Sequence, residues 1–191
     1  MRRTLWIYLA ALLLVLGGLV FVGCAKDDSA ACGDTDGAAP VDTKLLAFLS
    51  KAKSAHHIAD QFEADGELDR AVETLRKLFD GSADESSAEV REVLADTRAR
   101  VAELESQLGR FDQAANDVDR GLELAKDPTY FRGHLFEVRG LVEERRSKAL
   151  KEKGDTAGAE ASKKKALEAF EQAMSIQDQV IKKALPEEDA K

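Results

Sequence analysis

From Asp42 onward, apolar residues return every three or four positions, the spacing of one face of an α-helix. Leu45, Phe48, Leu49, Ala52, Ala55, Ala59 and Phe62 make a first such face, and Leu68, Ala71, Val72, Leu75, Leu78 and Phe79 make a second. Gly81-Ser82 interrupts the pattern, and Ser86 with Glu89 has the spacing of a capping box that opens a third helix. That helix carries Val90, Leu94, Thr97, Val101, Leu104 and Leu108 in four-three alternation, and a fourth carries Phe111, Ala114, Ala115, Val118, Leu122 and Ala125. Asp127-Pro128 predicts an N-cap and first-turn proline for a fifth helix, with Phe131, Leu135, Val138, Leu141, Val142 and Ala149 inward. Gly154-Asp155 leads into a sixth, expected to bury Leu167, Phe170, Met174, Ile181 and Leu185 and to stop at Pro186. The fold class that follows is all-α.

The turns carry a second regularity. Gly66-Glu-Leu-Asp-Arg-Ala71, Gly109-Arg-Phe-Asp-Gln-Ala114 and Gly154-Asp-Thr-Ala-Gly-Ala159 each place an alanine five residues after a glycine, and the glycines are 43 and 45 residues apart. A glycine can adopt the left-handed conformation that ends a helix, and an alanine one turn into the next helix lets the two axes approach. A near-constant period of this size signals helical hairpins that bury their faces on one another.

These residues resemble tetratricopeptide repeats. The family places a small residue seven before the turn glycine, a large one two after it and an alanine five after it. Ala59, Phe62, Gly66, Leu68, Ala71 and Leu75 follow that pattern, as do Ala102, Gly109, Phe111, Ala114 and Val118, with Glu105 standing where an aromatic is usual. The third unit keeps Ser147, Leu150, Gly154 and Ala159 but departs at Thr156 and Lys163; an alternative register sets Ala166, Phe170 and Ala173 on the second-helix positions. The period exceeds the family's 34 residues, which predicts first helices of about six turns. The resemblance implies three stacked antiparallel hairpins, an α-solenoid over 42–185, whose first-helix face holds segments of other proteins. The four-three spacing also suits a six-helix bundle or an antiparallel coiled coil.

The first forty residues read differently. Arg2 and Arg3 precede an uncharged apolar run over 5–23, the order of a secretory signal. Val20-Phe21-Val22-Gly23-Cys24-Ala25 resembles the bacterial lipobox, with Phe21 where leucine is usual. That resemblance implies a signal peptide over 1–23 and lipid attachment at Cys24, with acyl chains such as palmitate holding the chain on the membrane. Ala25 after the cysteine resembles lipoproteins sorted to the outer membrane. The alternative is an uncleaved transmembrane helix, since 19 residues at about 1.5 Å each nearly cross a hydrocarbon core. Residues 24–41, rich in Asp, Ser, Ala and Gly, read as a flexible tether, and 186–191 as a disordered tail. A Cys24–Cys32 disulfide requires an unlipidated chain. Asp34-Thr35-Asp36-Gly37 has part of a calcium-loop pattern, but Cys32 and Thr43 fall where carboxylates belong.

Charge narrows the function classes. The chain has 191 residues with formal charge −8, which argues against broad nucleic-acid binding. Residues 60–127 hold 19 acidic and 9 basic side chains, whereas 145–165 hold 8 basic and 3 acidic. The basic stretch reads as a solvated hairpin tip or as a surface for anionic lipid, cell-wall polymer or an acidic protein face. No nucleophile–base pair and no phosphate-cradling glycine loop stands out, so no catalytic residue, cofactor or metal is assigned. His56 and His57 point about 100° apart on a helix; His56 and Asp60, one turn apart, are the nearest approach to a zinc pair, and His134 stands alone. The expectation is a non-catalytic adaptor or scaffold of the bacterial cell envelope, anchored through Cys24, facing the periplasm and binding other envelope proteins through its helical groove. The alternative is a helical spacer between membrane and cell wall.

Overall fold

The computed structural model describes residues 42–81 and 84–185. The expected signal segment over 1–23, Cys24, the expected tether to residue 41 and the expected tail over 186–191 lie outside them. The described residues form six helices: α1 (Thr43–Ala64), α2 (Leu68–Arg76), α3 (Ala88–Gln107), α4 (Phe111–Leu124), α5 (Tyr130–Glu152) and α6 (Thr156–Ala184). None is long and apolar enough to cross a membrane.

Three turns of one design pair these helices. Gly66, Gly109 and Gly154 have φ of 76°, 75° and 81°, the left-handed region. After each glycine the next amide reaches back to close the helix end: Glu67 N to Phe62 O at 2.7 Å, Arg110 N to Glu105 O at 2.9 Å, and Asp155 N to Leu150 O at 3.0 Å. The glycine amides themselves bond Glu63 O, Ser106 O and Lys151 O at 2.9–3.1 Å. Ala71, Ala114 and Ala159 follow, all buried. The first helices of the pairs are 22, 20 and 23 residues long, about six turns each.

Each helix packs on its chain neighbours, and α3 also packs beside α1 and α5. Central α3 therefore buries Val90, Leu94, Thr97, Val101 and Leu104, the expected alternation, and adds Ala95, Ala99 and Ala102 on a second face. Those alanines join Ala114, Val118, Leu135, Val138 and Val142 in one core cluster. A second joins Ala59, Ala71, Val72 and Leu75 to Val101 and Leu104.

Several sequence expectations shift locally. Ser87 rather than Ser86 caps α3: its hydroxyl accepts from Val90 N at 3.3 Å and donates to Glu89 Oε2 at 2.6 Å, while the Ser86 amide is held by Asp84 Oδ1 in the turn before. Thr129 rather than Asp127 caps α5, because its extended backbone (φ −122°, ψ 169°) turns the hydroxyl onto Arg132 N. Leu78 and Phe79 lie beyond α2, in a tight turn closed by bonds to Leu75 O and Arg76 O, yet Leu78 is fully buried.

The largest difference is on α6. Leu167, Met174, Ile181 and Leu185 are 55–63% exposed, not buried. The helix instead turns Ala159, Ser162, Ala166, Ala169, Ala173 and Ile176 toward α5, the one helix it packs on. The reason is steric. A Cβ on Gly140 of α5 would lie 2.5 Å from the Phe170 ring, so the missing side chain seats that ring against α5 and sets the register of α6. With Phe170 and Ile176 in that register, the rest of the seam falls to small residues, and Leu167, Met174, Ile181 and Leu185 are left outside it.

Candidate binding groove

α4 and α6 both rest on α5 without packing on each other, so a channel stays open along α5 between them. Its middle is a cavity of about 570 Å³ whose apolar wall includes Val118 of α4, Phe136 and Val142 of α5, and Ala169 of α6. Toward the Gly109 and Gly154 turns it continues into a cavity of about 770 Å³ beside Phe111, Ala149 and Leu150. Lys165 borders both. The floor is thus a first helix, as the repeat resemblance implies, while the walls are the second helices of two successive pairs.

The charges along this channel are sorted. Asp119, Glu143 and Glu168 face Arg139 and Lys165 at the middle cavity, whereas Arg110, Arg146, Lys153 and Lys165 face only Asp112 at the turn end. Arg139 pairs with Asp119, and Arg146 pairs with Asp112 at 2.7 Å, tying α5 to α4 along one side. Glu143 differs from all of these. Its side chain is 10% exposed, its Oε2 has no hydrogen-bond donor among the described residues, and its Oε1 lies 3.9 Å from Arg146 Nη1, beyond hydrogen-bond range.

The α4 wall is fixed from behind by ion pairs that residue spacing does not reveal. Asp117, 1% exposed, accepts from Arg76 at 2.7 Å and from Arg98 at 2.6 Å. Glu105, the residue in the aromatic position of the repeat, accepts from Arg76 at 3.1 Å and pairs with Arg110 at 3.4 Å. Arg110 also reaches Asp69 at 2.5 Å, and the Arg98 guanidinium lies 3.6 Å from the centre of the Phe79 ring. Burial disfavours the Arg76 charge, but Asp117 and Glu105 outweigh it and hold its pKa above the ordinary arginine value. α2, α3 and α4 are therefore locked by charge where the repeat pattern would use an aromatic contact. The only sequence signal was Glu105 itself.

The residues singled out for chemistry are dispersed. His56 Nε2 lies 2.9 Å from the buried Thr97 hydroxyl, which donates to Val93 O at 2.8 Å, so the ring nitrogen is the donor. Burial lowers the His56 pKa, Asp96 and Asp60 oppose this, and Arg100 adds to it. His56 thus bridges α1 and α3, and Asp60 pairs with Arg100 instead. His57 is exposed. His134 stacks on Tyr130 and lies 3.4 Å from Glu137. Among the described residues no three His, Cys, Asp or Glu side chains are grouped to hold a metal ion. Of the basic 145–165 stretch, Arg145 and Arg146 reach across to Glu103 and Asp112, and Lys148 pairs with Glu144. Lys153 and Lys165 border the channel.

Compared with protein-family patterns, curated proteins and solved structures, the chain has no match in any of the three.

Proposed function

We propose that this chain is a non-catalytic adaptor: a lipoprotein of the bacterial cell envelope, anchored through Cys24, that holds a segment of another protein in its helical groove. The observation that carries the binding reading is the channel over α5. It runs through two adjoining cavities lined by apolar and charged side chains, and ion pairs fix its α4 wall to its α5 floor. Such a channel accepts a polypeptide segment without closing around it, as a docking site requires. The anchoring reading rests on the basic end, the apolar run and the lipobox-like residues before Cys24. The resemblance to tetratricopeptide repeats supports both the hairpin design and the role, and an architecture of this kind serves many partners.

A bulky substitution in the channel separates the adaptor from a spacer. Gln172 is exposed and borders the middle cavity, so Gln172→Trp fills the channel without touching the core. In cells that depend on the protein, this variant should release its partner and behave as a null. A spacer would tolerate Gln172→Trp and fail instead when α5 and α6 are shortened by whole turns.

A further inference from the structure

We infer that the middle cavity of the channel is a side-chain pocket for a primary alkylammonium, supplied as a lysine of the bound polypeptide. The inference rests on the adaptor reading and adds the chemistry of what is recognised. Its starting point is Glu143. The Glu143 side chain is nine-tenths buried and accepts no hydrogen bond from the described residues; Oε2 is sealed without a donor, which is costly, and Oε1 is the oxygen left for a ligand. The nearest cation, Arg146, turns Nη2 to Asp112 at 2.7 Å, stands 3.9 Å from Glu143 through Nη1, and keeps a buried Nε that likewise has no partner among the described residues. The arginine that lines the cavity itself, Arg139, is engaged by Asp119.

The walls say what carries the missing donor. Val118, Phe136, Val142 and Ala169 line the approach, and they suit an aliphatic stem. A methylene chain ending in a compact donor meets both requirements, whereas a planar guanidinium pairs best with two open carboxylate oxygens and Glu143 Oε2 is sealed. At about 570 Å³ the cavity takes a lysine side chain with room for its backbone at the mouth. The channel then runs on past Lys165 into the more basic cavity, which favours a chain of residues over a small amine. Lys165, at the junction, is the internal cation that competes for the same carboxylate.

The test uses the full chain in detergent micelles, with the methyl signals of Val118 and Val142 followed by NMR. The probes are capped Ala-Lys-Ala, the same peptide with norleucine in place of lysine, and n-butylammonium chloride. The lysine peptide should shift both methyls saturably, with norleucine at least tenfold weaker and butylammonium weaker than the peptide. Glu143→Gln should weaken lysine-peptide binding at least tenfold, about 1.4 kcal/mol, without lowering the thermal midpoint. Lys165→Gln should tighten it severalfold. Equal binding of the lysine and norleucine peptides, or unchanged binding by Glu143→Gln, would overturn the assignment. Butylammonium binding as tightly as the peptide would overturn the lysine source. If the lysine peptide fails while a partner still cross-links from Gln172, the pocket assignment is wrong and the adaptor reading stands.

Discussion

Replacing Asp117 by alanine removes the carboxylate that joins α2, α3 and α4. Asp117 is 1% exposed and accepts from Arg98 at 2.6 Å and Arg76 at 2.7 Å. Arg98, 15% exposed, is pinned between that carboxylate and the Phe79 ring and has no second acidic partner among the described residues. Arg76 is 38% exposed and keeps Glu105, so water and its second partner absorb most of its loss. Breaking a buried pair by deleting one member costs about 3–5 kcal/mol, and one half-exposed arginine places Asp117→Ala at the low end, about 3 kcal/mol. For a domain of this size that is a drop in melting midpoint of about 10 °C. Urea unfolding of the full chain, followed by far-UV circular dichroism, measures it. In a double-mutant cycle, Arg98→Ala with Asp117→Ala should show a coupling of about 2 kcal/mol, and Arg76→Ala with Asp117→Ala less than about 1 kcal/mol. An Asp117→Ala protein within about 0.5 kcal/mol of the parent, or a stronger coupling to Arg76 than to Arg98, would refute this account of the network.

Three further outcomes are expected. Gly66→Ala, Gly109→Ala and Gly154→Ala should each cost about 1 kcal/mol, because a Cβ meets nothing within 4 Å at any of the three and only the left-handed backbone resists it; unequal losses in urea unfolding would contradict one shared turn. On α6, Leu167→Gln and Met174→Gln should change stability by less than about 0.5 kcal/mol, whereas Ala166→Leu should cost about 1–3 kcal/mol by overpacking the seam with α5; the reverse order would restore the register expected from hydrophobicity. His56, its pKa lowered by burial, is neutral in the folded protein at a pH where the unfolded chain is already protonated. Its contribution is therefore intact above about pH 6.5 and is lost as the pH falls below that value toward the folded pKa. The decline should flatten in His56→Gln, read from urea midpoints between pH 7.5 and 5.

The hairpins were legible because their signals are local. Gly66, Gly109 and Gly154 must take positive φ, and the alanine five residues on must sit at a close crossing, so both appear as residue identities at fixed spacing. The α3 stripe was equally readable, since a central helix buries the same residues whichever neighbour it meets. The α6 face was not readable. Hydrophobicity alone ranks Leu167 and Met174 above Ala166 and Ala173, and the seat that Gly140 of α5 gives Phe170 sets the register that reverses that order. Neither could the sequence show that Arg76 and Arg98, 22 residues apart, meet at Asp117, because that depends on how three helices cross. The channel and the unpartnered Glu143 belong to the same class: each arises from helices that approach without touching.

Site-specific photo-cross-linking from the channel tests the adaptor reading most directly. A photoreactive amino acid is placed in turn at Ala115, Gln172 and Lys153, which border the channel, and at Glu73 and Gln179, which do not, for comparison. The account predicts one discrete adduct, formed in intact cells from the channel positions and lost with Gln172→Trp when the probe is at Ala115 or Lys153. Cross-linking from Glu73 and Gln179 with none from the channel would contradict it.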